Sequence, residues 1–399
     1  MIYILGINSF LAKNFYIFLK QTQQTQTFQH SITYLHHDFI KDNIIFSTED
    51  TIINFCGVNR SDNYKDFETG NYTVVKDLLD LLKNNNVSPM MIHISSAMVN
   101  GFLYNKELQV YQKYYIETKL KAEKLLLETY DKNKLCILRP SNIYGYNCKP
   151  YYNNLLVTLI YEKITGQYKT TNLNKNCTRN FLSIEGFCKT LSNIITNQTI
   201  GLYNIFSDNN ISLDKLIHII YNGKLPNNIN IIDGPLDIIS DSNNCKSIII
   251  SENLNTLIES LEKNMINFID ISTNVKISNH NVLSQDRGNM IEISDLHNKR
   301  LYMITINYGY MRGNHYHDSQ IEQFYIYKGE VMVCLKYKDK NVIYNLLLQR
   351  NNSIIVNPKI IHTFINDGLN IPDIFIVSNQ EYIPNSSPDT VYKNVFEIN

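Results

Sequence analysis

The spacing of apolar residues changes character once along the chain, and that change limits the possible folds more than any other feature. Early on, short apolar runs (Ile2–Leu5, Ile32–Leu35, residues 51–55, Met90–Ile94 and residues 135–138) alternate with stretches of helical period at 11–20, 74–82 and 115–130. Such alternation predicts a parallel sheet with helices on both faces. From about Asn281 the helical period disappears, and short alternating runs follow one another at 301–307, 323–327, 331–337, 342–348, 353–356 and 373–377. These predict a small all-β barrel or jelly roll. A polar stretch at 241–247 and a helical one at 252–263 bridge the two textures. The expected division is therefore residues 1–265 and 266–399, an α/β domain followed by an all-β one.

Bulk composition narrows the function. With 399 residues, 44% hydrophobic and 19% charged, the chain can bury two ordinary cores and is not disordered. Lys plus Arg equals Asp plus Glu at 37 each, which disfavours a nucleic-acid or membrane-surface partner. The sequence opens directly on a strand-like run, without a basic leader, and no apolar stretch reaches the roughly 18 residues of a membrane span. A cytoplasmic location is expected. The seven cysteines form no CxxC pair, so a disulfide framework or cysteine-zinc site is not expected.

The first strand–helix turn reads Gly6-Ile7-Asn8-Ser9-Phe10-Leu11-Ala12. A dinucleotide fold needs small residues where the chain turns, where backbone meets pyrophosphate and where helix packs on strand; Gly6, Ser9 and Ala12 take these places. Further on, Ser95-Ser96 ends a strand, and Tyr115 and Lys119 stand one helical turn apart. A carbonyl reductase needs a phenol that yields a proton as hydride arrives. It also needs a lysine to lower the phenol's pKa and hold the ribose, and a hydroxyl to polarise the substrate oxygen.

In this order, Ser96, Tyr115 and Lys119 resemble the catalytic set of the extended short-chain dehydrogenase/reductase family. Asn54-Phe55-Cys56-Gly57, Asn71, the segment from Arg139 to Gly145 and Arg179-Asn180-Phe181 fit the same family. The resemblance implies cofactor contacts from Gly6, Asn8, Ser9, Phe10, Leu11 and His36. It implies further contacts from Cys56, Gly57, Val58, Pro140 and Asn142, beside Tyr115 and Lys119. Sugar dehydratases of the family follow the catalytic hydroxyl with an acid pair; here Ala97 and Met98 follow Ser96, so a reductase or epimerase is expected. The second strand ends His36-His37-Asp38, without an acid at the strand end for a ribose diol. NADPH is expected before NADH because the task is net reduction.

In the β-rich part, Gly309, His315, His317, Glu322 and Gly329 have the spacing of the first cupin motif. Asn351, Asn357, Lys359, His362 and Asn366 resemble the second, with its glycines and proline replaced. Three imidazoles and a carboxylate on barrel strands make a divalent-metal site with open positions, suited to zinc, manganese, nickel or ferrous iron, and zinc is the expected ion.

A reductase joined to a cupin resembles the bifunctional capsule-sugar enzymes of UDP-N-acetyl-L-fucosamine-type pathways. The likeness extends through Gly57-Val58-Asn59-Arg60, the Cys148-Lys149-Pro150-Tyr151-Tyr152-Asn153 segment, Asp286-Arg287-Gly288 and Pro388-Asp389-Thr390. It implies that the cupin inverts C3 of a UDP-2-acetamido-2,6-dideoxy-4-hexulose and that the reductase then reduces the C4 ketone. It also implies a UDP-4-keto-6-deoxy-N-acetylhexosamine substrate and a homodimer. The alternative is a single-activity 4-reductase whose cupin is a non-catalytic binding or dimerisation module. A metal-free 3,5-epimerase fits poorly, because it works with a His–Asp dyad. Tyr316, Tyr325, Lys328 and Asp286 stay open as the epimerase base.

Overall fold

The early runs of Ile and Leu have no polar face to give to solvent, so they must be covered on both sides. In the computed structural model they form five neighbouring strands of a seven-stranded parallel sheet. Its strands are β1 (Ile2–Leu5), β2 (Ile32–Leu35), β3 (Thr51–Asn54), β4 (Met90–Ile94), β5 (Leu135–Pro140), β6 (Gly201–Ser207) and β7 (Lys246–Ile250), in the order β7-β6-β5-β4-β3-β1-β2. The structure describes all residues except 25–29, 40–43, 102–108, 146, 153, 168–170, 175–176, 225, 228, 233–236, 239–244, 280–282, 286–287, 291–299, 380–388 and 397–399. Asn153, most of the polar bridge at 241–247, Asp286, Arg287 and Pro388 therefore lie outside the described residues.

The strand order reverses at β1, which pairs with β2 on one side and β3 on the other. Open parallel sheets bind ligands at the carboxyl ends of their strands at such a switch point. Helix α1 (Phe10–Gln24) follows β1. Helix α2 (Val74–Asn84) buries Val74, Val75, Leu78 and Leu82, and is entered through a π-helical turn at Glu68–Thr73. Helix α3 (Val110–Thr129) is unusual, because its buried residues include Thr118, Lys119 and Glu123 beside Ile116, Ala122 and Leu126. A helix that turns charges toward its sheet violates the amphipathic pattern, and such violations gather at functional sites.

The second texture folds as two five-stranded antiparallel sheets, a cupin-like β-sandwich. With β8 (Val275–Asn279), β9 (Arg300–Thr305), β10 (Tyr310–His317), β11 (Glu322–Lys328), β12 (Glu330–Tyr337), β13 (Tyr344–Gln349), β14 (Asn352–Val356), β15 (Ile360–Asn366), β16 (Asp373–Ser378) and β17 (Thr390–Tyr392), the orders are β8-β14-β11-β16-β9 and β13-β12-β15-β10-β17. Alternation turns Val331, Val333 and Leu335 of β12 inward onto Phe324, Ile326, Ile354, Phe364 and Ile374. Truncating a residue such as Phe364 to Ala would cost about 3–5 kcal/mol.

Packing divides the chain into two units, Met1–Phe18 with His30–Met265, and Leu19–Gln29 with Ile266–Asn399. Among the described residues, no helix is long and apolar enough to cross a membrane.

Candidate functional sites

The first site forms where β1, β3 and β4 end. Gly6 has left-handed backbone (φ 79°), and a Cβ there would lie 2.9 Å from the Cys56 backbone nitrogen. Glycine is thus required twice over, by conformation and by the approach of the β3 end. Ser9 caps α1 by accepting from the Ala12 amide at 3.1 Å, with Phe10 and Leu11 half-buried beside it. Asn8 Nδ2 lies 3.2 Å from His36 Nδ1, linking this turn to the end of β2. A Cβ on Gly57 would lie 2.9 Å from Lys119 Nζ. The Val58 amide donates to Asn71 Oδ1 (2.8 Å), and Asn71 Nδ2 donates to Val58 O and Thr118 Oγ1, both at 3.0 Å. Asn71 comes from the π-helical turn and is fully buried.

Ser96, Tyr115 and Lys119 come together at this edge. Ser96 lies beside the Tyr115 phenol, and Lys119 Nζ donates to Ile94 O (3.1 Å) and Cys56 O (3.3 Å) at the ends of β4 and β3. Burial lowers the Lys119 pKa to about 8, against the opposing pull of Cys56 and Glu123. Burial raises the Tyr115 phenol, which Ser96 partly offsets and Glu123 reinforces. Pro140 ends β5 next to this pair, its carbonyl accepting from the Ala97 amide at 2.9 Å. Asn142 stands farther along, its amide donating to Asn180 O at 3.0 Å.

The second site is a cluster. The candidate ligand atoms of His315, His317, Glu322 and His362 all lie within 4.8 Å of one another. His317 Nε2 and His362 Nε2 are each 3.2 Å from Glu322 Oε2. On the far side of these rings, His317 Nδ1 meets Thr390 Oγ1 and His362 Nδ1 meets Ile360 O, both at 3.2 Å, which turns Nε2 toward the cluster. Gln320 Nε2 donates to Glu322 Oε1 at 3.1 Å and to Ser378 Oγ at 2.8 Å. Burial works to raise the Glu322 pKa, but the hydrogen bond from His317 and the presence of His362 outweigh it and hold the carboxyl well below its usual range. His315 is lowered to about 4 by burial and then by His362. Three imidazoles and a carboxylate whose candidate ligand atoms converge in this way suit a divalent cation.

Backbone shape brings the four together. Gly313 (φ 98°) sits at a bulge in β10, where a Cβ would lie 2.5 Å from His362 O. Asn351 (φ 69°) and Lys359 (φ 67°) stand where the motif has glycines, and both are left-handed, which explains the glycine preference. The Lys359 amide donates to His317 O at 2.7 Å.

Of the open base candidates, Tyr316 alternates with the two histidines, and its ring faces Lys338 at 5.5 Å. Tyr325 alternates with the core residues Phe324 and Ile326 and donates to Asn351 Oδ1, so neither tyrosine points at the cluster. Lys328 is exposed at the end of β11. Sequence reading passed over Tyr392, three-quarters exposed, whose ring lies 5.7 Å from that of His315. It also passed over Gln320 and Glu123, and took Thr390 only as part of the Pro388-Asp389-Thr390 likeness. Of these, Glu123 had a signal, an acid four residues after Lys119 on one helix face.

Comparison with known proteins agrees with this two-part layout. Residues 18–205 match the NAD dependent epimerase/dehydratase family, and residues 283–391 match the polysaccharide biosynthesis C-terminal domain. No curated protein matches the chain. Among solved structures, Pal from Bacillus thuringiensis has a TM-score of 0.52 at 16% identity, over 67% of this chain and 99% of that one, a likeness of fold. The capsular polysaccharide assembling protein CapF from Staphylococcus aureus gives a TM-score of 0.45 at 20% identity, over 98% and 99% of the two chains. The sugar 3,4-ketoisomerase QdtA from Thermoanaerobacterium thermosaccharolyticum gives 0.27 at 18% identity, over 31% and 90%. The chain thus carries a domain of the NAD dependent epimerase/dehydratase family, followed by a polysaccharide biosynthesis C-terminal domain.

Proposed function

We propose that the chain is a bifunctional nucleotide-sugar enzyme acting on a UDP-4-keto-6-deoxy-N-acetylhexosamine. Residues 266–399 epimerise C3 and residues 1–265 then reduce the C4 ketone, in a homodimer. What supports this reading is a pairing of two chemistries in one chain. A hydroxyl–phenol–lysine set ends β4, and a three-histidine, one-carboxylate cluster lines the β-sandwich.

The order of steps follows from acidity. The C3 hydrogen is acidic only while C4 is a ketone, because the carbanion must delocalise onto that oxygen. Reduction ends this, so epimerisation comes first. A divalent cation held by His315, His317, Glu322 and His362 would supply Lewis acidity toward a carbonyl oxygen. Gln320 and Thr390 keep Glu322 and His317 in place for it. In the other unit, NADPH along the Gly6 turn and Gly57 would supply the hydride. Tyr115 gives its proton to the C4 oxygen, Ser96 directs that oxygen to the phenol, and Lys119 holds positive charge behind it as the phenolate forms.

The test is NMR of the protein with a UDP-4-keto-6-deoxy-N-acetylhexosamine in deuterated buffer, before and after NADPH. Deuterium should enter C3 first, and the C4 alcohol should appear only with NADPH. Reduction without prior exchange would leave the single-activity reductase; neither event would remove the reading altogether.

A further inference from the structure

Glu123 lies outside the Ser96–Tyr115–Lys119 set yet is buried directly behind it. Tyr115, Lys119 and Glu123 follow one another at four-residue steps on α3, so they form one stripe facing the sheet. Each meets the end of β4. Tyr115 lies beside Ser96, Lys119 bonds the Ile94 carbonyl, and Glu123 accepts from Ser95 Oγ. Neighbouring serines thus stand at the two ends of the stripe. On its other side Glu123 takes Arg139 of β5 in a two-point pair, Nε to Oε1 at 3.0 Å and Nη2 to Oε2 at 2.5 Å. Arg139 Nη1 goes on to Asn100 Oδ1 (2.9 Å), and Asn100 Nδ2 to Asn204 Oδ1 of β6 (2.9 Å). A chain of hydrogen bonds runs from the phenol-bearing helix across β4 and β5 to β6.

A buried ion pair adds little net stability against an apolar replacement, but it fixes geometry. We propose that Glu123 is a positioning residue of the reductase site: gripped by Ser95 and Arg139, it sets the register of α3 on β4 so that Tyr115 meets Ser96. Its negative charge also favours the cationic form of Lys119. The groups around the Lys119 ammonium are Cys56 at the end of β3, His93 of β4 and Glu123 of α3, with Arg139 of β5 beyond Glu123. Among these, Glu123 is the buried carboxylate that offsets two cations. This inference rests on the C4-reductase reading for its kinetic arm, but not for its spectroscopic one.

The spectroscopic arm follows the titration of Lys119 by NMR in lysine-labelled full-length protein, assigned through Lys119→Arg. In Glu123→Gln the Lys119 midpoint should fall by roughly one pH unit, because an opposite charge has been removed. In Glu123→Asp the charge remains but the reach to Ser95 and Arg139 is lost. The midpoint should then stay near that of wild type, while kcat for 4-keto-sugar reduction drops about tenfold or more. Ser95→Ala keeps the ion pair, and should lower kcat while leaving the midpoint in place. In Glu123→Gln the alkaline limb of the reduction profile should move with the Lys119 midpoint. A folded Glu123→Gln with wild-type titration and profile would overturn the inference. If that variant does not fold, wild-type kcat in both Ser95→Ala and Glu123→Asp would overturn it instead. A wild-type enzyme that reduces no 4-keto sugar would sink the functional reading and leave the titration result standing.

Discussion

Tyr115, Lys119 and Glu123 reach their places by helical spacing on α3, whereas His315, His317, Glu322 and His362 are carried in on β10, β11 and β15 by sheet register. The helix supplies the order of its groups without tertiary help, but not their docking. Docking depends on buried side-chain bonds, Asn71 to Val58 and Thr118, and Glu123 to Ser95 and Arg139. The strands supply docking through their own ladder, but the ladder must bend at chosen points, Gly313, Asn351 and Lys359. The first site is therefore sensitive to charge and hydrogen bonding, and the second to backbone conformation and to whatever balances its histidines.

The largest effect should come from the chemistry confined to one unit. Tyr115→Phe removes the proposed proton donor and should cost on the order of 10²–10⁴ in C4 reduction, while C3 exchange with solvent continues. NADPH oxidation and deuterium wash-in measured on the same sample separate the two. Loss of both activities would mean that the sites are not independent.

Next in size is the cation. Elemental analysis of protein purified without chelator should find one divalent metal, expected to be zinc, per chain, and His317→Ala should lose it. A cation that binds only the folded cluster should stabilise by about 3 kcal/mol when free metal exceeds its Kd a hundredfold. Chelation should lower the melting temperature of wild type and leave that of His317→Ala unmoved. Metal-free wild type melting together with the variant in the presence of zinc would sharpen the comparison against a metal.

Lys119 tests the electrostatic side. Its folded value of about 8 lies below the ordinary 10.5, so between these pH values the unfolded chain binds more protons and stability rises with pH. Below pH 8 the folded protein bears the full cost of a buried ammonium. Lys119→Met should therefore be the more stable protein at pH 7 by about 2 kcal/mol, after allowing for two lost bonds to backbone carbonyls. That advantage should vanish above pH 10.5. Urea midpoints at the two pH values decide it; an advantage that does not change with pH would show packing, not charge, at work.

The smallest effect belongs to the backbone side. Lys359→Gly relieves a left-handed lysine and should stabilise by about 0.5 kcal/mol, the gain being reduced by the freer unfolded chain. Asn351→Gly should give no gain, since asparagine tolerates this conformation and Asn351 Oδ1 accepts from Tyr325. Equal shifts in the two variants would argue against the conformational reading.

How much could be read in the sequence follows the same line. Tyr115 and Lys119 were legible because a helix repeats every 3.6 residues, and His315 and His317 because a strand repeats every two. Glu322 and His362 were legible through motif spacing, a record of which positions share a barrel mouth. Asn71 shows in the sequence only as a fit to the family, because its position depends on a π-helical turn that no periodicity announces. Tyr392 was missed because its closeness to His315 comes from pairing of β17 with β10, far apart in the chain.

By itself, then, the sequence determined what local periodicity and short-range spacing can encode: a parallel α/β part, an antiparallel β part, and which residue types meet in each candidate site. The tertiary structure alone decided which carbonyls receive the Lys119 ammonium, that Glu123 is gripped by Ser95 and Arg139, and which faces Tyr316 and Tyr325 turn away from. These are contacts between residues distant in the chain. They are set by how sheets stack and twist, and a buried charge can be satisfied by any partner that packing brings within reach.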